Sequence, residues 1–243
     1  MPKTGGKAKV WIESIIRDFC ASEQNSLHMQ TGEPAWAEPQ IAYARGDDPL
    51  FDKVKADIGP FYWTPRDAFR LARPDLEVAA TDLAVIVYVL PQTEATRLDQ
   101  REATQVPAER WARSRFHGEE FNCALRLHLV EQLTSAGFPA VAPERLADFG
   151  YRDSERIGIA SNWSERHTAW IAGLGTFGLS DGLITRMGKA VRFGSVVARV
   201  DLEATPRSYQ GHQDWCLWYA RGTCGVCMKR CPIDAITEKG HDK

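Results

Sequence analysis

The sequence predicts a mixed α/β (α+β) protein, and three stretches carry that prediction. Residues 82–90 (DLAVIVYVL) form an apolar, β-branched run closed by Pro91, the pattern of a strand buried on both faces of a covered sheet. Residues 109–136 place Trp111, Phe116, Phe121, Leu125, His128, Leu129 and Leu133 near helical spacing, which predicts one long helix. Residues 183–185 (LIT) and VRFGSVVARVDL read as two strands, a hairpin across MGKA.

The remaining elements follow in order. Residues 8–22 set Val10, Ile12, Ile15, Ile16 and Phe19 on one side of an amphipathic helix. Residues 30–75, rich in Pro, Gly, Trp and Asp, predict loops and short helices around buried aromatics, among them Trp36, Phe61, Tyr62 and Trp63. Residues 92–108 are polar and without period, so a loop is expected. Gly137 marks the stop of the long helix, and FPAVAP is a short strand. Residues 163–172 (WSERHTAWIA) read as a helix leading into the glycine-rich turn GLGTFGLSDG.

Composition narrows the function. The chain has 243 residues, 44% hydrophobic and 26% charged, with a net charge of -2, as in an ordinary globular protein. No basic excess marks a nucleic-acid surface. The longest apolar stretch, Leu83 to Leu90, is too short to span a bilayer. The N-terminal residues MPKTGGKAKVWIESIIRDF lack the apolar core of a secretory leader, and a cytoplasmic location is expected. Six cysteines in that setting point to metal or redox work rather than to disulfides.

Two of the six, Cys20 and Cys123, are isolated and read as small buried apolar residues. The other four, Cys216, Cys224, Cys227 and Cys231, fall within sixteen residues. Cys224-x2-Cys227-x3-Cys231-Pro232 matches the last three cysteines of a bacterial ferredoxin run, so a [4Fe–4S] cluster is expected there. A full run would have a cysteine at Arg221; Cys216 is the nearby candidate for the missing ligand. Zinc is the rival, but it more often uses two separated knuckles and does not require Cys-Pro. Either these four cysteines close one cubane, or the chain is truncated and continues to a second cluster. The expected organisation is a domain at 1–205, carrying cofactor or substrate, and a ferredoxin-type segment at 206–243.

Gly173-x-Gly175-x-x-Gly178 fits a dinucleotide fingerprint in letters only. It follows a predicted helix and leads into a strand, the reverse of what a Rossmann site needs. The plainer reading is a tight turn with close backbone packing. Taken with Glu165-Arg166, Trp170, Ala172-Gly173-Leu174-Gly175, the LIT and GSVV strands, CxxCxxxCP and Tyr43-Ala44-Arg45-Gly46-Asp47-Asp48, however, the chain resembles the epoxyqueuosine reductase and reductive dehalogenase-like family. The resemblance implies a nitroreductase-like mixed-sheet domain followed by a ferredoxin-like segment. It implies cobalamin beside the turn, with Ala172, Gly173, Leu174, Gly175 and Gly178 as cofactor-binding residues. The position of the epoxyqueuosine reductases' catalytic Asp falls on Ile159 here, so the chain is expected to be a relative rather than such a reductase itself.

Glu165, Arg166 and His167 are the candidate catalytic group, with His167 suited to proton transfer near neutral pH; an ordinary ion-paired helix face is the alternative. Arg45 is a candidate for holding an anionic cofactor group, against a capped helix start at Asp47-Asp48-Pro49. His128 reads as a core histidine, His117 and His212 as exposed. The expected function is an iron–sulfur oxidoreductase, fed by a ferredoxin- or flavodoxin-type donor protein and acting on a small molecule or modified nucleoside. The alternative is an accessory electron-transfer protein without corrinoid or chemistry of its own.

Overall fold

A computed structural model describes residues 5–242. Helix α1 (Gly6–Cys20) is followed by strand β1 (Gln40–Arg45), helices α2 (Pro49–Ile58) and α3 (Pro65–Ala72), and strand β2 (Ala84–Pro91). Helices α4 (Glu94–Glu102) and α5 (Glu109–Ser135) lead to the two-residue strand β3 (Ala140–Val141). Then come the hairpin β4 (Tyr151–Ser154) and β5 (Gly158–Ser161), helix α6 (Glu165–Ile171), strands β6 (Gly175–Phe177) and β7 (Leu183–Thr185), and strand β8 (Val191–Ala198). The cysteine segment holds α7 (Leu217–Arg221), α8 (Val226–Arg230) and the small pair β9 (Ile236–Thr237) and β10 (Gly240–His241).

The main sheet has the order β1-β2-β8-β3, and every pairing in it is antiparallel. All eight residues of β2 are buried, as the apolar run predicts. Side chains alternate across a strand, so Val85, Val87 and Val89 enter one core with α2, α3 and α6. Ala84, Ile86, Tyr88 and Leu90 enter a second core with α1 and α5. The result is three layers, helices on each face of one sheet. At the centre, Tyr88 lies directly opposite Gly194 in the ladder. A Cβ at 194 would overlap the Tyr88 ring and hydroxyl, so glycine alone fits.

Several expectations change. The hairpin is β6–β7, not one across MGKA; β8 pairs with β2 and β3 instead. Its apolar residues are more deeply covered between two strands of the main sheet than in a local turn. Residues 92–108 hold a helix, α4, capped by the Thr93 side chain on the Thr96 amide; it buries only Thr96, so no apolar period announced it. Strand β1 stands within the stretch expected to be loops and short helices. Val10 and Phe116 are exposed, and Cys123 is only half-buried. The long helix, the short strand after Gly137 and the buried aromatics Trp36, Tyr62 and Trp63 are found as expected. Among the described residues, no helix is long and apolar enough to cross a membrane.

Candidate active site

Strand β3 is short because Pro143, which has no N–H to donate, opens a 3-10 turn at Pro143–Arg145. Its ladder covers only Val197 and Ala198 of β8. From Val191 to Ser195 that edge of β8 has no strand beside it. Side chains take over: Asn122 Nδ2 donates to the Phe193 carbonyl at 3.0 Å, and Arg126 Nη2 donates to it at 3.1 Å. Around this gap in the sheet lies a cavity of about 500 Å³. Helix α5 supplies one wall, the β4–β5 hairpin and Trp163 another, and the start of α6 the floor.

Two guanidinium groups and three carboxyls meet at the floor. Arg126 is 1% exposed. It lies 3.3 Å from Glu119, contacts Glu144, and approaches Glu165 at 3.5 Å through Nε. Arg192 pairs with Glu119 at 2.6 Å. Arg126 comes from the α5 face of the sheet and Glu165 from the α6 face, so the pair forms only because β3 stops. Both Glu165 oxygens are sealed from solvent and lack a hydrogen bond of good geometry to the guanidinium. Burial pushes the Glu165 carboxyl up to about 7; Arg126 opposes the rise and Glu144 adds to it. Burial also raises Glu144, against the pull of Arg126. Ser195, whose hydroxyl accepts the Trp163 indole N–H at 3.0 Å, stands beside the Glu165 carboxyl.

The other candidates divide. His167 and Arg166 line the same cavity as Glu165. The His167 ring meets the Ser164 hydroxyl at 2.8 Å through Nδ1 and packs on Phe177, while Arg166 donates to the Asp181 carbonyl at 2.6 Å. Ala172, Gly173, Leu174, Gly175 and Gly178 are not among the lining residues. A Cβ on Gly175 would strike the Ile184 carbonyl, and one on Gly173 would lie 3.3 Å from the Pro206 carbonyl. At Gly173 and Gly175 the turn packs closely against the protein's own backbone. Arg45 stands elsewhere, bidentate to Asp47 at 2.8 and 3.0 Å, while Asp48 caps α2 through the Leu50 amide.

The cysteine segment has the backbone of a loop that wraps an anion. Cys216 is the N-cap of α7, Cys227 lies in α8 and Cys231 is its C-cap. Gly222, Cys224, Gly225 and Asp234 all have positive φ, and alternation of hand turns successive N–H groups inward. The Cys231 thiol is drawn below its ordinary value by the backbone N–H groups of Ile233, Ala235 and Ile236. That donor set suits thiolate ligands of an iron–sulfur cluster. Among the described residues, no three His, Cys, Asp or Glu side chains are grouped to hold a metal ion. Zinc–sulfur bonds of about 2.3 Å would draw thiolates much closer together than the corners of a four-iron cluster do.

The segment is docked on the body. Arg230 donates to the carbonyls of Gln100, Arg101 and Ala103 at the end of α4, at 2.9–3.2 Å. The Trp215 amide donates to Thr176 at 2.9 Å. Lys189 lines the cavity. Crowding lowers its ammonium's affinity for a proton, opposed by the nearby Cys227 and Cys216 sulfurs. Cavity and cysteines therefore share Lys189 as a neighbour.

Reading the sequence finds Glu165 but misses Arg126, Glu119, Glu144 and Arg192. Their signal was a charged and an amide side chain, Arg126 and Asn122, inside the apolar stripe of α5.

No protein-family model matches the chain, and no curated protein matches it. Solved structures give a loose likeness of outline. One is an epoxyqueuosine reductase with a tRNA-Tyr epoxyqueuosine-modified stem loop, at 13% identity and TM-score 0.48, covering 97% of this chain and 54% of that one. A catabolic reductive dehalogenase is 14% identical at TM-score 0.47, covering 93% and 30%. The epoxyqueuosine reductase of Streptococcus thermophilus is 13% identical at TM-score 0.43, covering 96% and 54%. The chain spans about half the length of these epoxyqueuosine reductases and under a third of the dehalogenase.

Proposed function

We propose that this chain is an iron–sulfur oxidoreductase whose reaction site is the cavity at the open edge of β8. Residues 206–243 would be its electron-entry segment and residues 1–205 its substrate domain. The supporting observation is adjacency: Lys189 lines the cavity and also neighbours Cys216 and Cys227. Cys216, Cys224, Cys227 and Cys231 would hold a [4Fe–4S] cluster, which when bound supplies electrons. A reduction at neutral pH also needs a proton, and Glu165 is the buried carboxyl able to keep one there. His167 and Arg166 stand beside it at the wall. The volume and the mixed polar and apolar lining suit a small molecule, or one modified nucleoside, rather than a macrocycle. A ferredoxin- or flavodoxin-type protein would be the donor.

Anaerobic reconstitution of the full chain tests the reading. The expected product is brown, with about four irons and acid-labile sulfide per chain. Iron and sulfide should be lost in Cys224→Ser. A colourless product without sulfide removes the redox function.

A further inference from the structure

The cavity at the open edge of β8 is lined by more cations than carboxyls. Arg115, Arg126, Arg166 and Arg192 stand against Glu119, Glu144 and Glu165, and arginine keeps its charge at any ordinary pH. Arg126 and Arg192 are engaged with those carboxyls. Arg115 and Arg166 are not. Arg115 lies one turn before Glu119 on α5, the spacing of a helical ion pair. The Glu119 oxygens are instead taken by Arg126 at 3.3 Å and Arg192 at 2.6 Å. Among the described residues, Arg115 has no hydrogen bond or ion pair. Arg166 donates to the main-chain carbonyl of Asp181 at 2.6 Å, a contact that leaves its charge unmatched. Lys189 also lines the cavity, but Asp181 and the Cys216 and Cys227 sulfurs act on it from outside.

The β4–β5 hairpin brings apolar surface to the same cavity. Its register pairs Tyr151 with Ser161 and Asp153 with Ile159, so Tyr151 and Ile159 share one face. Both line the cavity, and they are 67% and 70% exposed. Asp153 shares that face but is not a lining residue. The hairpin is pinned where it stands: the Ser154 hydroxyl donates to the Ile58 carbonyl, and Arg156 pairs with Asp57 at 2.7 Å. We infer that the cavity takes a small anion: an oxyanion group, carboxylate or phosphate ester, on an apolar or planar body. Arg115 and Arg166 hold the oxyanion, and Tyr151 and Ile159 cover the body. Guanidinium groups suit this because their paired N–H donors match two oxygens at once. The inner carboxyls do not repel such a ligand strongly, since Arg126 and Arg192 already neutralise much of their charge.

This names the substrate class of the reaction site proposed above and rests on that reading for its part in turnover; the binding is tested without turnover. Calorimetric titration of the full-length, anaerobically reconstituted protein compares phenyl phosphate, benzoate and the uncharged benzamide. At least one of the two anions should bind about tenfold or more tighter than benzamide, and added salt should weaken it. A tighter phenyl phosphate identifies a phosphate ester as the ligand class, and a tighter benzoate identifies a carboxylate. Arg115→Gln and Arg166→Gln should each weaken the anion about tenfold and leave benzamide unchanged. Arg115→Lys, which keeps the charge, should recover part of the loss. Ile159→Ala should weaken anion and benzamide alike. Should Arg166→Gln not fold, Arg115→Gln and the comparison of probes still decide. No anion binding, equal binding of benzamide, or anion binding indifferent to the arginine substitutions overturns the inference. Iron and acid-labile sulfide measured on the same samples judge the cluster separately: an anion bound without a cluster removes the redox function alone, and a cluster without a bound anion removes this inference alone.

Discussion

Replacing Glu165 by glutamine should remove a pH dependence of stability that the fold itself creates. Burial raises the carboxyl from 4.5 to about 7, with Arg126 opposing. The folded chain then binds this proton more tightly than the unfolded chain. Its stabilising effect is complete below about pH 4.5, declines as pH rises, and is gone above about pH 7. At about 1.36 kcal/mol per pH unit, that rise corresponds to on the order of 3 kcal/mol. Glutamine has nearly the same shape and does not titrate. Urea unfolding of both proteins across that window, with matched ionic strength, reads the difference directly. Going from acid to alkaline pH, the wild type should lose on the order of 3 kcal/mol more than Glu165→Gln. Parallel stability curves would mean that the carboxyl titrates at its ordinary value in the folded chain and that the cavity floor is wetter than its geometry implies.

Other substitutions probe the elements around the site. Gly194→Ala forces a methyl against Tyr88 and should cost about 1–3 kcal/mol by denaturation; a smaller residue at 88 should recover much of that loss. Trp163→Phe removes the N–H held by Ser195 and should lower stability by about 1 kcal/mol, while the carboxyl titration of Glu165 moves because Ser195 is freed to turn. Cys231→Ser deletes the thiol favoured by three backbone N–H groups; iron bound after reconstitution should fall well below wild type while the far-ultraviolet circular dichroism stays unchanged. Arg230→Ala removes the clamp on the end of α4, and faster hydrogen exchange should follow in residues 226–231 and 100–103 together.

What the sequence disclosed and what it hid have physical causes. Strand β2 was legible because both of its faces meet helices, which leaves an unbroken apolar run. Helix α5 was legible from its spacing, yet the same spacing made Phe116 look buried when it is not. Strand β1 was hidden because QIAYAR is short and mixed in character. Helix α4 was hidden because it rests on one buried threonine and a cap. The β7–β8 hairpin failed because local turn chemistry was allowed to outweigh the pull of a central sheet position. In the site, Glu165 was found beside a motif, but its partners come from residues 119 to 192, and no local pattern joins them. The glycines of the turn were legible as glycines; only the contacts show that protein backbone already fills the room beside them.

The abbreviated β3 also sets a limit on how this protein can vary. Were Pro143 replaced and the chain allowed to continue in register, main-chain groups would zip along β8 and claim the Phe193 carbonyl. Arg126 and Asn122 would lose their anchor, and two helices on opposite sides of the sheet could no longer touch hands around its rim. Here a missing few ångströms of ladder is the doorway, and a more regular sheet would be a wall.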